Sequence, residues 1–193
     1  MLFVRHGRTA YNADRRFCGG RSDPPLDARG REQVAALGAR LGGEVERVFC
    51  SPQLRARETA AALGQATALE GLREIDQGAF EGQAIAPTLA EHAEFFAAWR
   101  RDPSALAIPG GGETMTAASA RAAAAMAEVH AAIGPAWRGR VIAVVGHQMT
   151  HAAFACRALG RPMREWPQFE LGNARANLFA WDGDAWSLVA RDL

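Results

Sequence analysis

Five consecutive apolar residues, Val141-Ile142-Ala143-Val144-Val145, constrain this chain more than any other stretch. An unbroken, β-branched run reads as a strand covered on both faces, because a one-sided strand alternates apolar with polar residues. Such a strand needs helices above and below its sheet, which points to an α/β architecture with a parallel core. The run leads into Gly146-His147-Gln148. A second short apolar strand, Leu2-Phe3-Val4, ends in the same manner at Arg5-His6-Gly7. Two histidines therefore stand where buried strands give way to loops, and open α/β sheets bind their ligands at the carboxyl ends of the strands.

The remaining sequence supplies the helices. Residues 13 to 26, rich in Gly, Pro, Asp and Arg, read as an ordered loop. Asp27 is a fitting N-cap for a helix with Val34, Leu37 and Leu41 on one face, stopped by Gly42-Gly43. Val45 to Cys50 is a strand, Ser51-Pro52 a helix entry, and Leu54 to Ala66 a helix with Arg55 in its first turn. Leu69 to Gly82 lacks a helical period and reads as a short strand passing into a loop with three carboxylates. Thr88 to Arg101 is an amphipathic helix, Asp102 to Gly112 a Pro/Gly-rich loop, and Glu113 to Ile133 a long alanine-rich helix closed by Gly134-Pro135. A helix from Thr150 to Leu159 follows the central strand. Residues 175 to 190 alternate around Asp182-Gly183-Asp184, a hairpin signature near a sheet edge. The expectation is one domain over residues 1–193: a three-layer α/β/α sandwich, its central sheet mostly parallel with an antiparallel edge.

Composition narrows the function. Hydrophobic content of 49% and charged content of 22% suit a globular chain. A net charge of +1 argues against a general nucleic-acid or anionic-membrane binder. All 22 basic residues are arginine, so no Schiff-base or lysine-nucleophile mechanism is available. Cys18, Cys50 and Cys156 are widely spaced with no CxxC pair, which favours a reducing compartment. No apolar run approaches the roughly 20 residues of a membrane span, and Met1 leads directly into a strand with no room for a signal peptide. A cytoplasmic protein is the expectation.

Arg5, His6, Arg55 and His147 together could cradle one dianion, and paired arginines suit phosphate oxygens. A neutral imidazole in such a pocket can attack phosphorus, and the departing alkoxide then needs a carboxylic acid, for which Glu74 and Glu81 are the candidates.

Read together, these motifs resemble the histidine phosphatase superfamily of phosphoglycerate-mutase-like proteins. Arg5-His6-Gly7-x-Thr9-x-x-Asn12 resembles the signature of the nucleophilic histidine, and Asp23-x-Pro25-Leu26-x-x-x-Gly30-x-x-Gln33 its continuation. Ser51-Pro52-Gln53-Leu54-Arg55 resembles the second arginine motif, and Leu72-Arg73-Glu74-Ile75-x-x-Gly78-x-x-Glu81-Gly82 the proton-donor segment. Pro109-Gly110-Gly111-Gly112-Glu113-Thr114 resembles the family's Pro-Gly-Gly-Glu-Ser loop, and Val144-Val145-Gly146-His147 the second-histidine motif. One such motif is weak; six in order are strong.

The resemblance implies His6 as nucleophile, Arg5, Arg55 and His147 as phosphoryl holders, and Glu74 as proton donor, with Glu81 structural. Thr9, Gly19 and Gln148 would line the substrate's side, Asn12 would contact phosphate there or order the loop, and neither metal nor cofactor is implied. The partner would be a small phosphorylated metabolite; a homodimer is compatible with the reading. Three positions depart from the pattern. Cys18-Gly19-Gly20 lengthens the loop after Asn12 by one residue, Gln148 stands where glycine commonly follows the second histidine, and Gly146 replaces a frequent serine.

The short span between Gly82 and Pro109 favours an open, phosphatase-type site similar to the α-ribazole phosphatases and broad-specificity relatives. A phosphoglycerate mutase is the second enzyme reading, and a non-catalytic phospho-ligand binder the reading from another class. His147 and His151 are four apart, but no third ligand completes a metal site. His151 reads as a helix or pocket-rim residue, and His92 and His130 as solvated. Cys50 and Cys156 read as core, as do Trp99, Trp137, Trp166, Trp181 and Trp186.

Overall fold

The computed structural model describes residues 1–134 and 139–193, so Pro135 and Trp137 lie outside the described residues. Six strands form one sheet: β1 (Leu2–Arg5), β2 (Val45–Cys50), β3 (Ala66–Ala68), β4 (Val141–Gly146), β5 (Ala176–Trp181) and β6 (Trp186–Ala190). Their order is β3-β2-β4-β1-β5-β6. The first four run parallel, and β5 and β6 form the antiparallel edge.

The apolar strands divide their side chains between two cores, as a period of two requires. Phe3, Phe49, Ile142 and Val144 pack with Met126 and Val129 of α6 (Met115–Ile133) and Phe154 of α7 (Gln148–Ala158). Leu2, Val4, Val48, Ala143 and Val145 pack against Val34 and Leu37 of α2 (Ala28–Leu41) and Ala56 and Ala60 of α3 (Leu54–Ala61). Helices on both faces explain why the Val141 run shows no polar alternation. A third cluster holds Ile75, Phe80, Ile108 and Met115 beneath Phe96 and Trp99 of α5 (Ala93–Arg101).

Several boundaries differ from the sequence reading. The strand expected from Leu69 lies earlier, at Ala66–Ala68, where pairing with Val48–Cys50 outweighs the low strand propensity of alanine. The helix before it accordingly stops at Ala61. Residues 69–82 instead make two 3₁₀ turns, Glu70–Leu72 and Gly78–Phe80, and a third covers Met163–Phe169. The expected Thr88–Arg101 helix is two, α4 (Ile85–Glu91) and α5, broken where His92 leaves helical geometry (φ −110°, ψ 36°). A four-residue α1 (Ala10–Ala13) also opens the first loop. Helix α6 begins at Met115 because the Thr114 side chain accepts from Ala117 N–H at 3.0 Å.

His92 and His130 are half-buried rather than solvated. The His92 ring lies 5.0 Å from Phe80. The His130 ring stacks on Trp181 at 5.4 Å and on Trp186 at 5.5 Å. No helix among the described residues is long and apolar enough to cross a membrane.

Candidate active site

Strand register builds the site. Val4 pairs with Val145 and Arg5 with Gly146, so the residues that follow, His6 and His147, emerge side by side with ring centroids 5.2 Å apart. The His6 Nδ1 lies 2.7 Å from the Gly7 carbonyl oxygen. A carbonyl only accepts, so Nδ1 carries the proton and Nε2 keeps its lone pair. That lone pair faces Arg55, whose Nε donates to it at 3.3 Å.

Arg55 is wholly buried and its guanidinium is gripped by a loop: Nη1 donates to Ser22 O at 2.9 Å and Nη2 to Gly19 O at 3.2 Å. The fully buried Gln53 ties this loop to the acid. Its Nε2 donates to Gly19 O at 3.0 Å and to Ser22 O at 2.9 Å, while its Oε1 accepts from Glu74 N–H at 2.9 Å. Glu81 orders the loop from the other side, accepting from Gly19 N–H, Arg21 N–H and the Ser22 hydroxyl. Gly19 has no room for a side chain: a Cβ would lie 2.5 Å from Ile75 O.

Glu74 sits at the N-terminus of α7. Its Oε1 accepts from Ile75 N–H, Thr150 N–H and the Thr150 hydroxyl at 2.8, 2.9 and 3.0 Å. Oε2 accepts from Met149 N–H at 3.1 Å, so it is the less engaged oxygen and the better placed to carry a proton. Arg121 of α6 buttresses this segment: Nη1 donates to Gly71 O and Arg73 O, and the remaining guanidinium atoms pair with Glu113.

The structure thus brings Arg5, His6, Arg55, His147 and Glu74 together. The residues expected on the substrate's side are otherwise employed. Thr9 and Asn12 cap α1 reciprocally. The Gly19 N–H and carbonyl are taken as above. The Gln148 side chain turns to Leu171, whose N–H it receives at 2.8 Å.

Arg5 Nη1 donates to the carbonyl of the same Leu171 at 2.6 Å. Asn173 Nδ2 donates to His6 O at 3.1 Å and to Asn12 Oδ1 at 3.3 Å. The segment Leu171–Asn173 therefore holds the backbone of His6 and the side chain of Arg5. Nothing in its local pattern announced this, and the same is true of Gln53. Arg5 Nε and both His147 ring nitrogens are buried without a hydrogen-bond partner among the described residues. Buried orphans of this kind call for a ligand, and phosphoryl oxygens would satisfy the donors among them.

Electrostatics favour neutral imidazoles. Burial, reinforced by Arg55 and Arg5, holds His6 well below the ordinary histidine value, and burial with Arg55 and His6 does the same to His147. Cys18 is half-buried, and burial first among its causes pushes its thiol up to about 11, so it stays protonated.

His151 is buried rather than at a rim, and burial lowers it to about 3. Its ring explains Gly146: a Cβ there would lie 2.6 Å from His151 Nε2. Among the described residues no group of three or more His, Cys, Asp or Glu side chains is placed to hold a metal.

A pH dependence follows. The three buried histidines stay neutral in the folded protein while the unfolded chain protonates them below about 6.5. The unfolded state then binds more protons, so stability is full above that pH and falls as pH drops, by about 1.4 kcal/mol per pH unit for each histidine. For His151 the window runs from 6.5 down to about 3. Urea unfolding between pH 7.5 and 5.5 should show this slope, and His151→Met should lessen it by one histidine's share. An unaltered slope in that variant would count against a neutral buried His151.

Comparison with known proteins identifies the family. A model of the histidine phosphatase superfamily (branch 1) matches residues 1–192. The chain is 33% identical over 186 residues to the glucosyl-3-phosphoglycerate phosphatase of Mycobacterium tuberculosis, covering 90% of this chain and 82% of that one. It is 28% identical over 180 residues to phosphoserine phosphatase 1 of Hydrogenobacter thermophilus, covering 90% and 82%. The solved structure of the mycobacterial glucosyl-3-phosphoglycerate phosphatase with VO3 superposes with a TM-score of 0.89 at 30% identity, covering 100% of this chain and 98% of that one. With its match over nearly every residue, and with relatives that are phosphatases, the chain belongs to the histidine phosphatase superfamily and is a phosphatase.

Proposed function

We propose that this phosphatase acts in the cytoplasm on small phosphorylated metabolites, in two steps through a phosphohistidine and without a metal. The observation that carries the reading is the His6 Nδ1 bond to Gly7 O, which leaves the Nε2 lone pair facing Arg55 and beside His147. In the first step Nε2 attacks phosphorus, the bond from phosphorus to the ester oxygen breaks, and Glu74 Oε2 gives that oxygen a proton. Arg5, Arg55 and His147 stabilise the charge spread over the equatorial oxygens. In the second step water attacks the phosphohistidine, Glu74 takes the water's proton, and the phosphorus–nitrogen bond breaks to release phosphate. The substrate class is supported by the names of the relatives, which act on phosphorylated small molecules.

The test is a panel of p-nitrophenyl phosphate, α-ribazole 5′-phosphate, 3-phosphoglycerate and sugar phosphates, each with and without EDTA. Net phosphate release indifferent to EDTA is expected. Interconversion of 3- and 2-phosphoglycerate without net release would establish a mutase, and loss of activity on chelation would overturn the metal-free step.

A further inference from the structure

A cavity of about 220 Å³ is walled by Ile85 and Leu89 of α4, Phe95 and Phe96 of α5, and Ile75 and Met149; Gln77 and Arg100 are the polar residues among those lining it. Its walls hold none of the phosphate-site side chains, yet they begin where that site ends. Ile75 follows Glu74 in sequence. The Met149 N–H donates to Glu74 Oε2 at 3.1 Å, the oxygen assigned to the leaving group. The Gln77 Cγ lies 2.4 Å from where a Gly19 Cβ would stand, and Gly19 O holds Arg55.

A second cavity has Glu74 itself in its lining. It is polar, and includes Arg21, Arg73 and Arg121. Each of these arginines already pairs with a carboxylate: Arg21 with Asp76, Arg73 with Glu70, Arg121 with Glu113. That side therefore offers no uncommitted cation to a second anionic group on a substrate. The apolar cavity, by contrast, is lined mostly by aliphatic and aromatic side chains, with Gln77 and Arg100 as its polar members.

We infer that the apolar cavity receives the organic part of the leaving alcohol, so that the substrate class is phosphomonoesters whose alcohol carries an apolar ring or chain. This rests on the phosphatase reading above. With phosphorus held by Arg5, Arg55, His6 and His147 and the ester oxygen at Glu74 Oε2, the attached carbon must leave on one side of Glu74, and only one side is apolar. Size agrees: apolar cavities of roughly 150 Å³ hold a benzene ring, so this one takes a ring with a short linker.

The test is a series of ethyl, butyl and 3-phenylpropyl phosphates with glycerol 3-phosphate as the polar counterpart. Their alcohols are similar in acidity, which separates binding from leaving-group chemistry. From ethyl to 3-phenylpropyl, kcat/KM should rise on the order of 100-fold, with glycerol 3-phosphate no better than ethyl. Leu89→Trp and Ile85→Trp, each filling the cavity from α4, should bring the ratio towards one. Because the ratio is taken within each protein, the amount of folded enzyme cancels. A flat series in the parent enzyme, or a ratio that survives both tryptophans, overturns the inference while leaving a His6-dependent phosphatase in place. No His6-dependent release from any ester overturns the phosphatase reading itself.

Discussion

His6→Ala is expected to lower kcat for p-nitrophenyl phosphate by roughly 10⁴-fold or more, the scale of removing a nucleophile whose partners cannot replace it. No other described side chain offers a lone pair in its place: the His147 ring is 5.2 Å away on a separate strand end, and Cys18 is held as a thiol. The fold should survive the change. His6 makes two side-chain hydrogen bonds, to Gly7 O and from Arg55 Nε, and losing each costs about 1 kcal/mol. The decisive readout is covalent. Rapid quenching of the parent enzyme during turnover should trap an acid-labile, base-stable phosphoryl group on His6, absent from the variant. Turnover persisting in His6→Ala would end the phosphohistidine mechanism.

Arg55→Met should cost roughly 10³-fold in kcat/KM, in the range of arginines that meet transferring phosphoryl groups. The loss should fall mostly on kcat and on inhibition by vanadate, which imitates the trigonal transition state, because the guanidinium meets charge that grows during transfer. Lysine should recover little. Arg55 sends Nε to His6, Nη1 to Ser22 O and Nη2 to Gly19 O, three fixed directions that an ammonium on a flexible stem does not reproduce. If Arg55→Lys restored near-parent kcat, the planar fork would be irrelevant and the site's account of charge would need revision.

The parts of the site legible in sequence are those that chemistry places at strand ends. Arg5-His6-Gly7 and Gly146-His147 announce themselves because a buried strand ending in imidazole has few other uses. The parts that were not legible depend on distant partners. Gln53 looks like an ordinary polar residue after Ser-Pro, and only the folded chain shows its amide shared among Gly19, Ser22 and Glu74.

Asn173 lies 167 residues from the backbone it supports. Asn12 was expected to contact phosphate or order the loop, and the folded chain shows it in a capping box with Thr9. The break at His92 was hidden because the apolar period continues through it, and the ring's packing on Phe80 decides the matter. The layers and the mostly parallel sheet with its antiparallel edge were recoverable because they follow from the apolar runs; β3 was not, because two alanines carry no strand signal.

The contact between Gly146 and His151 has a consequence for anyone reshaping this pocket. Space under the second histidine is one volume divided between a strand position and a helix position one turn beyond it, and here the helix holds all of it. A hydroxyl side chain at 146 meets the His151 ring before anything else, its Cβ 2.6 Å from Nε2. Its introduction has to begin at 151 with a smaller residue, so the two positions behave as a single designable unit, and a library that varies them separately will sample mostly misfits.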